Sequence, residues 1–147
     1  MRALLDVNVL IALTDSQHIH HETAHAWLHA HGGEGWASCP LTLNGCIRIL
    51  AQPAYGLGWS TAQVARLLRT TLQSPQHEFW PDDLNPLASD TLDFDHLLGQ
   101  RQMTDAYLLA LAVRHGGRLV TLDARLDPRT ARGAQQRHLV RLLGAAD

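Results

Sequence analysis

Residues 101–126 read RQMTDAYLLALAVRHGGRLVTLDARL, and this stretch decides the fold. Asp105 to His115 has helical spacing, with Thr104 in the position of an N-cap. The helix is apolar nearly all round, through Ala106, Leu108, Leu109, Leu111, Ala112 and Val113. Such a helix is buried on more than one side. Gly116-Gly117 ends it. Leu119–Leu122 then reads as a buried strand, with Asp123 at its end. A buried helix that turns straight into a buried strand is half of a βαβ unit.

The same pattern recurs at the N-terminus. Arg2–Leu5 is a short apolar strand ending at Asp6, and Asn8–Leu13 can start a helix directly after it. His18–His21 is a polar connection, and Glu22–Ala30 has helical spacing up to Gly32-Gly33. Gly35–Ser38 is a second strand candidate. Pro40 suits the first turn of a helix, whose apolar face is Leu43, Ile47, Leu50 and Ala51, with Pro53 ending it. Ser60 caps a further helix with the stripe Val64, Leu67, Leu68 and Leu72. His77–Trp80 is a third strand candidate. Within Asp82–Gln102 only a short helix near Leu92–Leu98 is expected, and a last strand falls near His138–Leu142. Alternating apolar strands and helices predict an α/β domain in three layers, α/β/α, around a parallel sheet of four or five strands. Residues 1–147 are expected to form one domain.

Composition narrows the function classes. No apolar run approaches the roughly 20 residues of a membrane span. The start of the chain has no signal-peptide pattern, so a cytosolic protein is expected. Cys39 and Cys46 have neither zinc-site nor disulfide spacing and read as small buried hydrophobes. The 12 basic residues are all Arg. Residues 1–100 carry 4 Arg against 10 Asp and Glu, whereas residues 101–147 carry 8 Arg against 4 Asp. A basic C-terminal third suits a polyanion, and Arg114, Arg118, Arg125, Arg129 and Arg132 are candidates to line an approach. Solvated helix faces account for the same residues equally well.

The chemistry lies in the two strands that end in Asp. Ligands of open parallel sheets bind beyond the carboxyl ends of the strands. Asp6 and Asp123 should therefore share one edge of the domain. Asp105 should join them, because its helix must run back to start the strand that ends at Asp123. Each alone has a structural explanation as a turn former or cap. Three carboxylates together repel one another unless protons or a cation compensate. Oxygen ligands select Mg²⁺ or Mn²⁺, and a phosphodiester is a natural substrate for such a site.

LLDVNVLIAL (4–13), HIHHETAHAWL (18–28), CPLTLNGCIRIL (39–50) and the opening stretch at 101–126 together resemble the PIN-domain family, in particular the VapC toxins of bacterial toxin–antitoxin pairs. The likeness is weakest from about Pro75 to Leu98. It implies a PIN fold, Mg²⁺- or Mn²⁺-dependent cleavage of RNA through a metal-bound water, a cognate antitoxin and a homodimer. Carried over by residue, it makes Asp6 and Asp105 the main metal ligands and Asp123 the supporting acid. Asn8 would hold a water or a neighbouring carboxylate, with Thr104 and Thr121 as polar neighbours. An acidic position early in the third helix falls here at Asn44, beside Leu43, and no Asp or Glu occurs between Gly35 and Glu78. A carboxamide can ligate or hold water but supplies no charge. Arg48, one turn on, can face the same crevice and contact RNA phosphate or take part in an ion pair.

Other readings are weaker. Aspartyl phosphotransferases and receiver domains need a Lys that this chain lacks. No glycine-rich phosphate loop follows the first strand. His21, His25 and His29 share a helix face but lack a completing Cys or acid, and read as an exposed face. Trp36, Trp59 and Trp80 read as core or interface. The principal alternative to a ribonuclease is a non-catalytic PIN-like protein that binds antitoxin or RNA, motivated by Asn44.

Overall fold

A computed structural model describes residues 1–143 of the chain. Five strands, β1 (Ala3–Leu5), β2 (Trp36–Ser38), β3 (His77–Phe79), β4 (Arg118–Thr121) and β5 (Leu139–Arg141), form one sheet. Their order is β3-β2-β1-β4-β5 and every pairing is parallel. The five-stranded alternative is thus the correct one. The last four residues of the expected domain lie outside the described residues.

Period-two alternation divides the core between the two faces of the sheet. Leu4, Ala37 and Leu119 pack on one side with helix α5 (Met103–Arg114). Ala3, Leu5, Trp36 and Val120 pack on the other with α1 (Val7–Thr14), α2 (His21–His31), α3 (Pro40–Leu50) and α4 (Thr61–Leu72). Strands buried on both faces explain the continuous apolar runs in the sequence. On its own face α5 must fill a layer that four helices fill opposite. Six of its residues, Ala106 and Leu108–Ala112, are accordingly buried.

Local signals act as the residue types require. Ser60 caps α4, accepting from Gln63 N at 3.1 Å while the Gln63 side chain accepts from Ser60 N at 2.8 Å. Pro40 is the first residue of α3. Some boundaries differ from expectation. The chain leaves α2 through a 3₁₀ turn, Gly32–Glu34, and breaks only at Gly35, where φ is +81°. Helix α5 begins at Met103 after Gln102, so Thr104 lies in its first turn instead of capping it. The short helix expected near Leu92–Leu98 is one 3₁₀ turn, Phe94–His96, because Asp93 folds back to accept from Asp95 N and the chain is extended again at Leu97. Cys39 and Cys46 are buried free thiols, each pushed up to about 11 by burial. Trp36 and Trp80 are core residues and Trp59 is half-buried. No described helix is long and apolar enough to cross a membrane.

The α5–β4 turn needs both glycines. Gly116 has φ +70°. Gly117 passes so close to β1 that a Cβ there would meet the Arg2 carbonyl and lie 2.8 Å from the Trp80 ring. Gly117→Ala is expected to destabilise the fold by about 1–3 kcal/mol through overpacking, measured as a lower urea midpoint with unchanged slope. A midpoint equal to wild type would show that the close approach is dispensable.

Candidate active site

Strand order reverses between β1 and β4, and a crevice opens at the carboxyl ends of these two strands. Asp6 follows β1, Asp123 lies two residues beyond β4, and Asp105 stands in the first turn of α5. The three expected acids therefore come to one edge.

Asp6 is 2% exposed. It caps α1, one carboxylate oxygen accepting from Val7 N at 2.7 Å. The other accepts from the Thr121 hydroxyl at 2.7 Å. Hydrogen bonds to a charged group contribute about 1.5–3 kcal/mol each, whereas burying a carboxylate costs several kcal/mol. Burial wins, and the Asp6 carboxyl is held above its ordinary range, with the charge of Asp123 adding to the rise. Asp105 is pushed up to about 8, first by burial and then by the charges of Asp6 and Asp123.

Thr121 is the hub of the arrangement. Its hydroxyl donates to Asp6 and accepts from Asp123 N at 3.0 Å and from Asn8 Nδ2 at 3.4 Å. One donor and two acceptor positions are thus all used. Asn8 Oδ1 in turn accepts from Leu122 N at 3.2 Å. Asn8 thereby holds the end of β4 against α1. Asp123 closes its own turn by accepting from Arg125 N at 2.8 Å.

The crevice beside Asp6 and Asp105 has a volume of about 350 Å³. Asn44 and Arg48 line its α3 wall, exposed and one turn apart, and Thr104 lies on its rim. Leu43 instead packs toward α4, so Asn44 occupies the crevice position. Sequence reasoning missed the apolar part of the wall: Val7, Ile11, Leu41 and Ile49. Leu41, Gly45 and Ile49 recur every four residues, a signal that could have found this second face of α3. Gly45 is needed there, since a Cβ would lie 3.0 Å from a Val7 methyl.

The expected band of arginines does not form. Arg118 lies at the opposite edge, 3.4 Å from Glu34 and over the Trp27 ring. Arg114, Arg129 and Arg132 approach Asp83, Asp127 and Asp93. Of those five, only Arg125 is next to the acids. On α2 the His21 and His25 rings are 4.7 Å apart, and His25 and His29 are exposed as expected.

The residues suit a hard divalent cation. Among the described residues no three His, Cys, Asp or Glu side chains close a metal cage by themselves. Mg²⁺ is commonly held by one or two carboxylates and keeps several waters. Asp6 and Asp105 are oxygen donors on the wall of an open crevice that Asn44 also lines, a donor set that fits such an ion.

The family model for the PIN domain matches residues 3–131. The chain belongs to the PIN-domain family. Ribonuclease VapC44 of Mycobacterium tuberculosis is 46% identical over 142 residues, covering 97% of this chain and all of that protein. Ribonuclease VapC39 of the same organism is 40% identical over 134 residues, 90% of this chain and 96% of that one. Among solved structures, M. tuberculosis VapC20, described as a Sarcin-Ricin loop cleaving toxin, superposes with a TM-score of 0.61 at 13% identity, over 84% of this chain and 91% of its own. VapBC2 of Rickettsia felis, bound to a DNA fragment from its promoter, gives 0.57 at 13%, over 84% and 89%. These two likenesses establish a shared PIN fold.

The raised acid gives a pH dependence. Unfolded, Asp105 loses its proton near pH 4; folded and metal-free, it keeps it to about pH 8. The folded state binds the extra proton between these values, so this contribution to stability is complete below about pH 4 and is lost as pH rises toward 8. In EDTA, Asp105→Asn is expected to gain thermal stability relative to wild type steadily across this window. A constant difference between the two melting curves would rule out the raised pKa.

Proposed function

We propose that this protein is a cytosolic, Mg²⁺- or Mn²⁺-dependent endoribonuclease, the toxin of a type II toxin–antitoxin pair. The observation that carries the proposal is the trio Asp6, Asp105 and Asp123, held at the switch point of a PIN-family sheet beside an open crevice. Identity of 40–46% to ribonucleases named VapC, over at least 90% of this chain, supports RNA as the substrate.

Asp6 and Asp105 would hold the cation, with Asp123 supporting. Bound there, it would neutralise charge developing on a phosphoryl oxygen and make water a better nucleophile. The chain's own residues supply position. Thr121 and Asn8 fix Asp6 relative to the end of β4. The Asn44 carbonyl can orient water from the α3 wall, and Thr104 offers a hydroxyl at the rim. Arg48 can receive a phosphate of the strand entering the crevice. The partner of the resting protein is a cognate antitoxin segment whose basic side chain satisfies the carboxylates. A homodimer is part of the same reading, on the strength of the family likeness. Asn44, uncharged and facing the crevice, motivates the alternative of an RNA- or antitoxin-binding protein without catalysis.

Two measurements test this. Purified protein freed of antitoxin should cut a mixed RNA pool with Mg²⁺ or Mn²⁺. It should not cut in EDTA, and Asp105→Ala should lose at least 100-fold in rate. A folded wild-type sample that cuts nothing would favour the binding protein. Asn44→Glu should tighten Mg²⁺ binding roughly tenfold by calorimetry, equivalent to about 1.4 kcal/mol; unchanged affinity would sink the role given to this position.

A further inference from the structure

We infer that a second groove, beyond the Asp123 side of the acids, holds the backbone of single-stranded RNA flanking the cut, through Arg101 and Arg125. This rests on the ribonuclease reading and adds to it the path of the substrate. The groove, of about 280 Å³, is lined by Leu98, Gly99, Gln100, Arg101, Gln102 and Arg125. It adjoins the acids on both sides. Gln102 immediately precedes α5, whose first turn carries Asp105. The Arg125 backbone N–H donates to Asp123 at 2.8 Å.

The groove is built. The Gln102 side chain accepts from Leu98 N at 3.3 Å and donates to the Arg125 carbonyl at 3.5 Å. It thereby ties the 98–102 wall to the turn that carries Arg125. The two guanidinium groups are exposed. Among the described residues neither pairs with a carboxylate, and the same holds for Arg48. Arg114, Arg118, Arg129 and Arg132 each lie near an acid. Unpaired arginines thus flank the carboxylates on both sides, Arg48 in the crevice and Arg101 and Arg125 in the groove. Anionic carboxylates repel a polyanion, so a substrate backbone needs cationic contacts on either side of the point where the acids face it. Leu98, 83% exposed at the rim, offers an unpaired base an apolar contact that a duplex would bury.

The test separates this groove from the activity itself. Labelled single-stranded RNA is bound by the full chain carrying Asp105→Asn in EDTA, so that cutting does not intrude, and affinity is followed by anisotropy from 50 to 200 mM KCl. Each phosphate contact contributes about 0.7 to the slope of log affinity against log salt for single strands. Arg101→Gln with Arg125→Gln should therefore make the slope shallower by about 1.4, so that the loss of affinity over that range shrinks roughly sevenfold. Arg114→Gln with Arg129→Gln should leave it unchanged. An unchanged slope in the first pair overturns the inference, and an unchanged slope with weaker binding of the cognate antitoxin assigns the groove to protein instead. If the parent protein with Asp105 intact cuts no RNA while the slope still changes, the ribonuclease reading fails and the groove stands.

Discussion

Burial of carboxylates close to one another, where the sheet changes direction, is the constraint on which the site depends. Asp6 is almost wholly removed from water, and its two strongest compensations are an α1 backbone N–H and the Thr121 hydroxyl. Neither offsets burial completely, and Asp105 is left holding a proton to about pH 8. An arrangement this unfavourable in isolation persists because the sheet and α5 over-determine it, and it supplies a standing demand for a positive charge.

That demand has several possible sources, and the surroundings discriminate among them. Four of the eight arginines of the basic C-terminal third are tied to acids elsewhere, and among the described residues none pairs with Asp6, Asp105 or Asp123. A cation, a basic side chain of a partner and a proton remain as alternatives that compete for the same oxygens. If a metal and a partner both bind there as proposed, competition of this kind would couple metal binding, partner binding and pH through one set of carboxylates. The Thr121–Asn8 pair adds rigidity without charge, joining α1 to the end of β4 so that Asp6 and Asp123 stay in fixed relation.

Much of this was legible in the residues. The apolar runs before Asp6 and Asp123, and the all-round apolar helix between Asp105 and Gly116, contain the parallel sheet, its burial and the shared edge. These signals are legible because backbone periodicity and burial are local consequences of side-chain type. The start of α5 differs from the Thr104 cap that the residues suggest, since the cap preference of Thr is weak beside the continuation of α5 back into the 3₁₀ turn at Gln100–Gln102. The segment Asp82–Gln102 carries few periodic signals, and its conformation is set by contacts with distant turns, such as the bridge between Leu92 and Ala131.

The sequence by itself determined the fold class, the family and the edge of the sheet that Asp6, Asp105 and Asp123 share, because each follows from patterns within a few residues of one another. The tertiary structure alone decided which neighbours those acids have. It placed Asn44 and Arg48 on the crevice wall, turned Leu43 away, gave Asn8 a backbone to hold, and separated the unpaired Arg101 and Arg125 from the paired arginines. Such relations join residues as far apart as Asp6 and Thr121, 115 positions along the chain. They depend on how strands β1 and β4 are laid side by side, which local propensity does not encode.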